Sequence, residues 1–178
     1  MARYAAFLRA VNVAGNQLSM AALKKMVEDL GLGGPRSVLQ SGNLIFEAGN
    51  RKAADLEEIL QRKTARRLKV QTEYFIRDAK ALTKIIEDNP FAREAKTGPG
   101  HLVVFFLKQR PSAESVRRLQ AQIKGPEVVK PDERHIYVTY PAGQGRSKLT
   151  NAAIEKALES RGTARNWNTI LKMHSAMS

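Results

Sequence analysis

The sequence predicts an α+β protein of two ferredoxin-like (α/β-plait) halves, βαββαβ followed by a variant βαββα. Three observations predict it. Runs of strand length alternate with segments of helical periodicity, and the order of the two nearly repeats. A Pro/Gly-rich stretch from Asn89-Pro90 to Gly98-Pro99-Gly100 falls between the two series. With 178 residues and no cysteine, the chain is long enough to fold on hydrophobic burial without a staple.

Residues 4–10 are mostly apolar and read as a buried strand. Ser19 is a good N-cap, followed by Leu23, Met26, Val27 and Leu30 at helical spacing, with Gly31 placed to end the helix. Two extended runs, 38–40 and 44–46, flank Ser41-Gly42-Asn43, which is hairpin chemistry. A helix is expected over 53–68, with Leu56, Ile59 and Leu60 on its apolar side. Residues 70–77 alternate Val70, Thr72, Tyr74 and Ile76 on one face, so they read as a strand.

Asp78 caps a short helix carrying Leu82, Ile85 and Ile86, and Asn89-Pro90 stops it. Residues 102–107 form an unbroken apolar run, the mark of a strand buried on both faces. Ser112 caps a helix with Val116, Leu119 and Ile123, ended by Gly125-Pro126. Residues 127–130 and 135–140 pair as strands, the second alternating Ile136, Val138 and Tyr140. A last long helix is expected over 147–161, stopped by Gly162. The expected organisation is a first half over 1–88, a linker over 89–100, and a second half with a C-terminal tail over 101–178. A plait lacking its last strand would borrow an edge from the other half.

Charge narrows the function classes. Thirty Lys+Arg against 17 Asp+Glu give a net charge of +13, with a sequence pI near 10.3. The excess is spread: 17 cations and 11 acids in residues 1–100, 13 and 6 in the remainder. That excludes a detachable basic tail. It leaves two readings: a charged surface that keeps the protein soluble, or a field for an anionic small molecule or nucleic acid. The absence of cysteine excludes a disulfide scaffold, a zinc–thiolate site, an iron–sulfur cluster and a cysteine nucleophile, and it suits a reducing compartment. The six-residue run 102–107 is far short of the roughly 20 residues a membrane helix needs. Arg9 interrupts the apolar stretch 4–8 too early for a signal peptide. A soluble cytoplasmic protein with no membrane partner is expected.

Four segments carry polar groups where a core has no need of them. In the first, Arg9 and Asn12 end the first strand: Arg9 either reaches to the sheet edge or presents its guanidinium to a carboxylate or phosphate. In the second, Gln40-Ser41-Gly42-Asn43 is either a tight hairpin or a small polar tip that hydrogen-bonds a ligand. Ser41 lacks the G-x-S-x-G context of an elbow nucleophile. The third, Tyr140-Pro141-Ala142-Gly143-Gln144-Gly145-Arg146-Ser147-Lys148, is a Gly-rich strand-to-helix turn with two cations, which suits an anion without matching a Walker A loop or G-x-G-x-x-G. The fourth, Thr163-Ala164-Arg165-Asn166-Trp167-Asn168-Thr169, either anchors the tail through its tryptophan, with Asn168 capping a last helical turn, or stacks on and recognises a ring.

The run Arg62-Lys63-Thr64-Ala65-Arg66-Arg67-Leu68-Lys69 holds five cations and no acid, and reads as a solvated face or a phosphate-backbone contact. His101, His135 and His174 are scattered without paired spacing, so no metal site is expected, and no cofactor is named by these residues.

Residues 8–16, 39–46 and 140–148, with Asn89-Pro90-Phe91 and the terminal 163–169, together resemble the bacterial domain-of-unknown-function 1697 family. Its L-R-G-I-N-V-G-G segment, Q-S-G-N hairpin and T-x-R-N-W-N-T ending have counterparts here over nearly the whole chain. Ala10 and Ala14 stand where the family has glycine, so a role needing positive φ there does not carry over. The resemblance implies a two-part α+β fold of plait-like units and no settled activity.

The functional expectation is binding of an anionic, phosphorylated or nucleotide-like ligand in a basic cleft between the halves. Arg9, Asn12, Ser41 and Asn43 would line one wall, and Arg146, Arg165, Asn166 and Trp167 the other, with the indole stacking. The alternatives are a nucleic-acid-binding module, which lacks the aromatic K/R-G-F/Y-G/A-F-V-x-F/Y signature, and an enzyme on a phosphorylated substrate, for which no acid–base group stands out.

Overall fold

The computed structural model describes residues 2–9, 17–39 and 42–178. The chain divides into two compact units, Met1–Ile85 with Lys172–Ser178, and Ile86–Leu171. Each holds a four-stranded antiparallel sheet with helices, the mixed α/β architecture of two ferredoxin-like halves.

In the first unit the order is β1 (Arg3–Arg9), α1 (Met20–Asp29), β2 (Gly33–Ser37), β3 (Asn43–Glu47), α2 (Ala53–Lys63) and β4 (Glu73–Asp78), followed by α3 (Ala79–Glu87). The sheet runs β2-β3-β1-β4. Alternation decides its helix-covered face. Tyr4, Ala6 and Leu8 of β1 meet Leu44 and Phe46 of β3 and Tyr74 and Ile76 of β4, under Leu23, Met26 and Val27 of α1 and Leu56 and Leu60 of α2. The opposite face, with Ala5, Phe7, Ile45 and Phe75, is buried as well. Local chemistry sets the helix ends. Ser19 Oγ accepts the Ala22 N–H at 3.2 Å, Gly31 takes φ +78° past α1, and Asp78 Oδ1 accepts the Ala81 N–H at 2.7 Å.

Two details depart from the sequence expectation. The first strand of the β2–β3 hairpin lies at Gly33–Ser37 rather than 38–40. Gly33-Gly34-Pro35 reads as a turn, but an edge strand with a register slip between Gly33 and Arg36 tolerates it. The helix expected over 53–68 widens into a π-turn at Thr64–Leu68. There Thr64 Oγ1 lies 2.6 Å from the Leu60 carbonyl and 2.6 Å from the Tyr74 hydroxyl, and Lys69 closes the turn at φ +58°.

The second unit opens with α4 (Ala92–Thr97), inside the stretch 89–100, and continues β5 (Leu102–Leu107), α5 (Ala113–Gln122), β6 (Val128–Asp132), β7 (His135–Thr139), α6 (Asn151–Leu158), β8 (Gly162–Asn166) and α7 (Trp167–Ala176), whose last residues belong to the first unit. Its sheet runs β6-β7-β5-β8, the same order as the first. Val103, Phe105 and Leu107 of β5 and Ile136 and Val138 of β7 pack with Val116 and Leu119 of α5 and Ile154, Ala157 and Leu158 of α6. The strand that the sequence reading left out is β8, so the second sheet is complete without a borrowed edge. Glu155 Oε2 accepts the Gly162 N–H at 3.1 Å, which turns the chain into that strand. The helix expected from Ser147 begins at Asn151, because Thr150 supplies the cap, its Oγ1 accepting the Ala153 N–H at 3.1 Å.

The two hairpin edges, β2 and β6, each carry a proline beside a cation: Pro35-Arg36 and Lys130-Pro131. Proline donates nothing to a ladder, so both edges resist further strand pairing.

Candidate functional site

Two of the expected site residues, Arg9 and Asn43, stand at one end of the first unit's sheet. Arg9 ends β1 opposite Glu73 of β4, and its carbonyl accepts the Thr72 hydroxyl at 2.7 Å. Asn43 begins β3, is 4% exposed, and donates from Nδ2 to the Val38 carbonyl at 3.3 Å. The Val38 N–H in turn donates to the Asn43 carbonyl at 3.1 Å, and Leu8 N–H to Gly42 O at 2.9 Å. The end of β1 and the β2–β3 hairpin are thus side by side, with Asn43 closing the hairpin. Asn12 and Ser41 lie outside the described residues.

In the second unit, Arg165 lies on β8 opposite Val104. Its Nη1 donates to Thr163 Oγ1 at 2.7 Å and to the Ala164 carbonyl at 2.8 Å. Burial pushes its pKa down to about 10, so it remains a cation at neutral pH. Asn166 is exposed, and its Oδ1 accepts the Thr169 N–H at 3.0 Å, capping α7. The capping residue is Asn166 rather than Asn168, and the helix it starts has ten residues rather than one turn. Trp167 begins that helix at 4% exposure. Arg146 is exposed on a 3₁₀ turn over Gln144–Arg146, in the connection that follows β7.

That turn forms one side of a hollow of about 370 Å³. The end of α5 and the connection into β6, residues 122–127, form another side, and Ala153 of α6 closes it. The buried Leu149 and half-buried Ile123 and Ala153 give it an apolar part, and Lys124, Arg146 and Lys148 are its exposed cations. Glu127 is the one acid among its lining residues. The wall is tied from within. Ser147 Oγ donates to Glu127 Oε1 at 2.5 Å and accepts the Leu149 N–H at 2.9 Å, and the Tyr140 hydroxyl donates to the Leu149 carbonyl at 2.9 Å. Gly143, at φ +89°, makes the turn and returns its N–H to the Tyr140 carbonyl at 2.8 Å. Burial, then the charge of Glu127, pushes the Tyr140 phenol up to about 12.

Two other hollows offer less to an anion. One of about 390 Å³ sets Arg110 and Arg117 against Asp132 and Glu133. The other, of about 370 Å³, includes Arg3 and Arg36, which are committed to the Met177 and Ala176 carbonyls. Of the basic run, Arg67 reaches Asp29 at 2.8 Å and Arg62 lies 3.7 Å from Glu58. Among the described residues no group of three His, Cys, Asp or Glu is placed to hold a metal ion, and no helix is long and apolar enough to cross a membrane.

Sequence reasoning singled out the segment of Arg146 and Lys148 but missed Lys124 and Glu127. They come from the α5–β6 connection some 20 residues earlier, and nothing in that local sequence advertises a ligand.

The family model described as "Protein of unknown function (DUF1697)" matches residues 1–137. The chain belongs to that family. Its hairpin motif lies inside the match, and the Arg146 turn and β8 lie beyond it. The whole chain is similar to the solved structure of the conserved bacterial protein SP0830 from Streptococcus pneumoniae, at 18% identity and a TM-score of 0.76, over 99% of this chain and 98% of that one. Such a likeness speaks for the fold. No curated protein matches this chain.

Proposed function

We propose that this DUF1697 protein binds a phosphate-bearing small molecule of nucleotide-like size in the hollow of its second unit. The observation that carries the reading is the lining itself: three cations and one acid around an apolar patch, in about 370 Å³. Small-molecule sites occupy roughly 300–1,000 Å³ and pair apolar walls with a few convergent polar groups. Arg146 supplies a planar fork suited to phosphate oxygens, and Lys124 and Lys148 add point charges. The apolar part suits a ring or another flat body.

Calorimetric titration with AMP tests it. Saturable binding to the wild type is expected, weakened about tenfold or more in Arg146→Ala/Lys148→Ala, since each charge-assisted hydrogen bond contributes about 1.5–3 kcal/mol. Equal affinity in both proteins would contradict the assignment. The alternative, nucleic-acid binding, draws support from the run over residues 62–69, where Arg66 and Lys69 are exposed. It predicts retention of an oligonucleotide that falls steeply with salt.

A further inference from the structure

The acid in the cationic hollow says what the rest of the ligand has to be, and the inference rests on the anion reading of that hollow. Two small neighbours fix the position of Glu127. Ser147 Oγ donates to its Oε1 at 2.5 Å and is itself held by the Leu149 N–H at 2.9 Å. On the other side the carboxylate lies over Gly125, where a Cβ would stand 2.5 Å from Oε2. A carboxylate fixed in this way accepts hydrogen bonds and repels anions. The phosphate therefore belongs at Arg146 and Lys148, and the part of the ligand that meets Glu127 has to bring an N–H or O–H donor.

We infer that Glu127 is a specificity-determining residue that selects, among phosphate-bearing ligands, those presenting a donor on the body away from the phosphate. A nucleoside monophosphate such as AMP has this chemistry, with ribose hydroxyl donors along the body and an amine donor at the far end. A phosphate on a donor-free ring does not.

The test compares AMP with phenyl phosphate on the wild type, Glu127→Gln and Gly125→Ala, by calorimetry at fixed salt. Glu127→Gln keeps an acceptor for Ser147, removes the charge and turns the second oxygen into a donor. Gly125→Ala keeps the charge and displaces it, since the clash falls on the carboxylate end of the Glu127 side chain and not on backbone. The wild type is expected to prefer AMP by about tenfold or more, the scale of one charge-assisted hydrogen bond. Both variants should lose most of that preference through weaker AMP binding, with phenyl phosphate unchanged or tighter. Equal wild-type affinity for the two probes, or AMP binding that tightens in Glu127→Gln as a mere counterion would allow, overturns the inference and leaves the anion site standing. Binding of neither probe to any of the three proteins removes the anion reading and this inference with it.

Discussion

At the scale of single residues, the tightest constraint in the second unit is Gly162. It sits at the start of β8 opposite Leu107, and a Cβ there would stand 2.2 Å from Phe105 Cε1 and 2.5 Å from the Phe106 carbonyl oxygen. A backbone oxygen and a core ring cannot both step aside. Gly162→Ala is expected to lower stability by about 1–3 kcal/mol in urea unfolding. An unchanged midpoint would show that β8 is more loosely packed than this. The sequence suggested another job for this glycine, the end of a helix. That helix ends three residues earlier, where Glu159 takes the left-handed turn at φ +52°. Polar residues were harder to assign than apolar ones for one reason. Asn43, Arg165 and Asn166 all look like ligand-facing groups in sequence, and each makes a short-range hydrogen bond to its own hairpin, strand or helix cap.

At the scale of elements, helices announced themselves by caps and spacing: Ser19 before α1, Asp78 before α3, and Ser112 before α5, whose Oγ accepts the Ser115 N–H at 3.1 Å. The helix expected from Ser147 starts four residues later, although a serine there has the chemistry of a cap. Its hydroxyl is engaged with Glu127 and Leu149 instead, and Thr150 takes the role. Thr150→Ala is expected to cost about 1 kcal/mol in stability, and Ser147→Ala to loosen the hollow without fraying α6. Amide exchange across α6 separates the two: faster exchange in its first turn belongs to Thr150→Ala alone. Two of the edge strands, β2 and β8, were the least legible. β2 contains Gly33-Gly34-Pro35 and β8 is half polar, so neither shows the apolar runs that identified β1 and β5 or the alternation that identified β4 and β7.

At the scale of the whole molecule, element order and net charge were legible, and the hollow was not, because its two sides are assembled from segments far apart in sequence. One global property follows from burial. All four tyrosines have phenols raised above their ordinary value, Tyr74 and Tyr140 to about 12 and Tyr4 and Tyr137 upward as well, with burial the leading cause in each. A raised folded-state pKa contributes stability that is complete below the unfolded value near pH 10 and is lost as pH climbs through about 12. Alkaline titration should therefore show little phenolate absorbance at pH 10, then a rise that coincides with loss of circular dichroism. Ionisation of several tyrosines near pH 10 in a folded protein would contradict the burial described here.

Whether the hollow of the second unit takes an anion is read directly by a ¹H–¹⁵N NMR titration with AMP. Saturable shifts should gather at Lys124, Glu127, Arg146, Ser147 and Lys148 and persist at moderate salt. No shifts at all, or shifts centred on residues 62–69 that fade as salt is added, would contradict it.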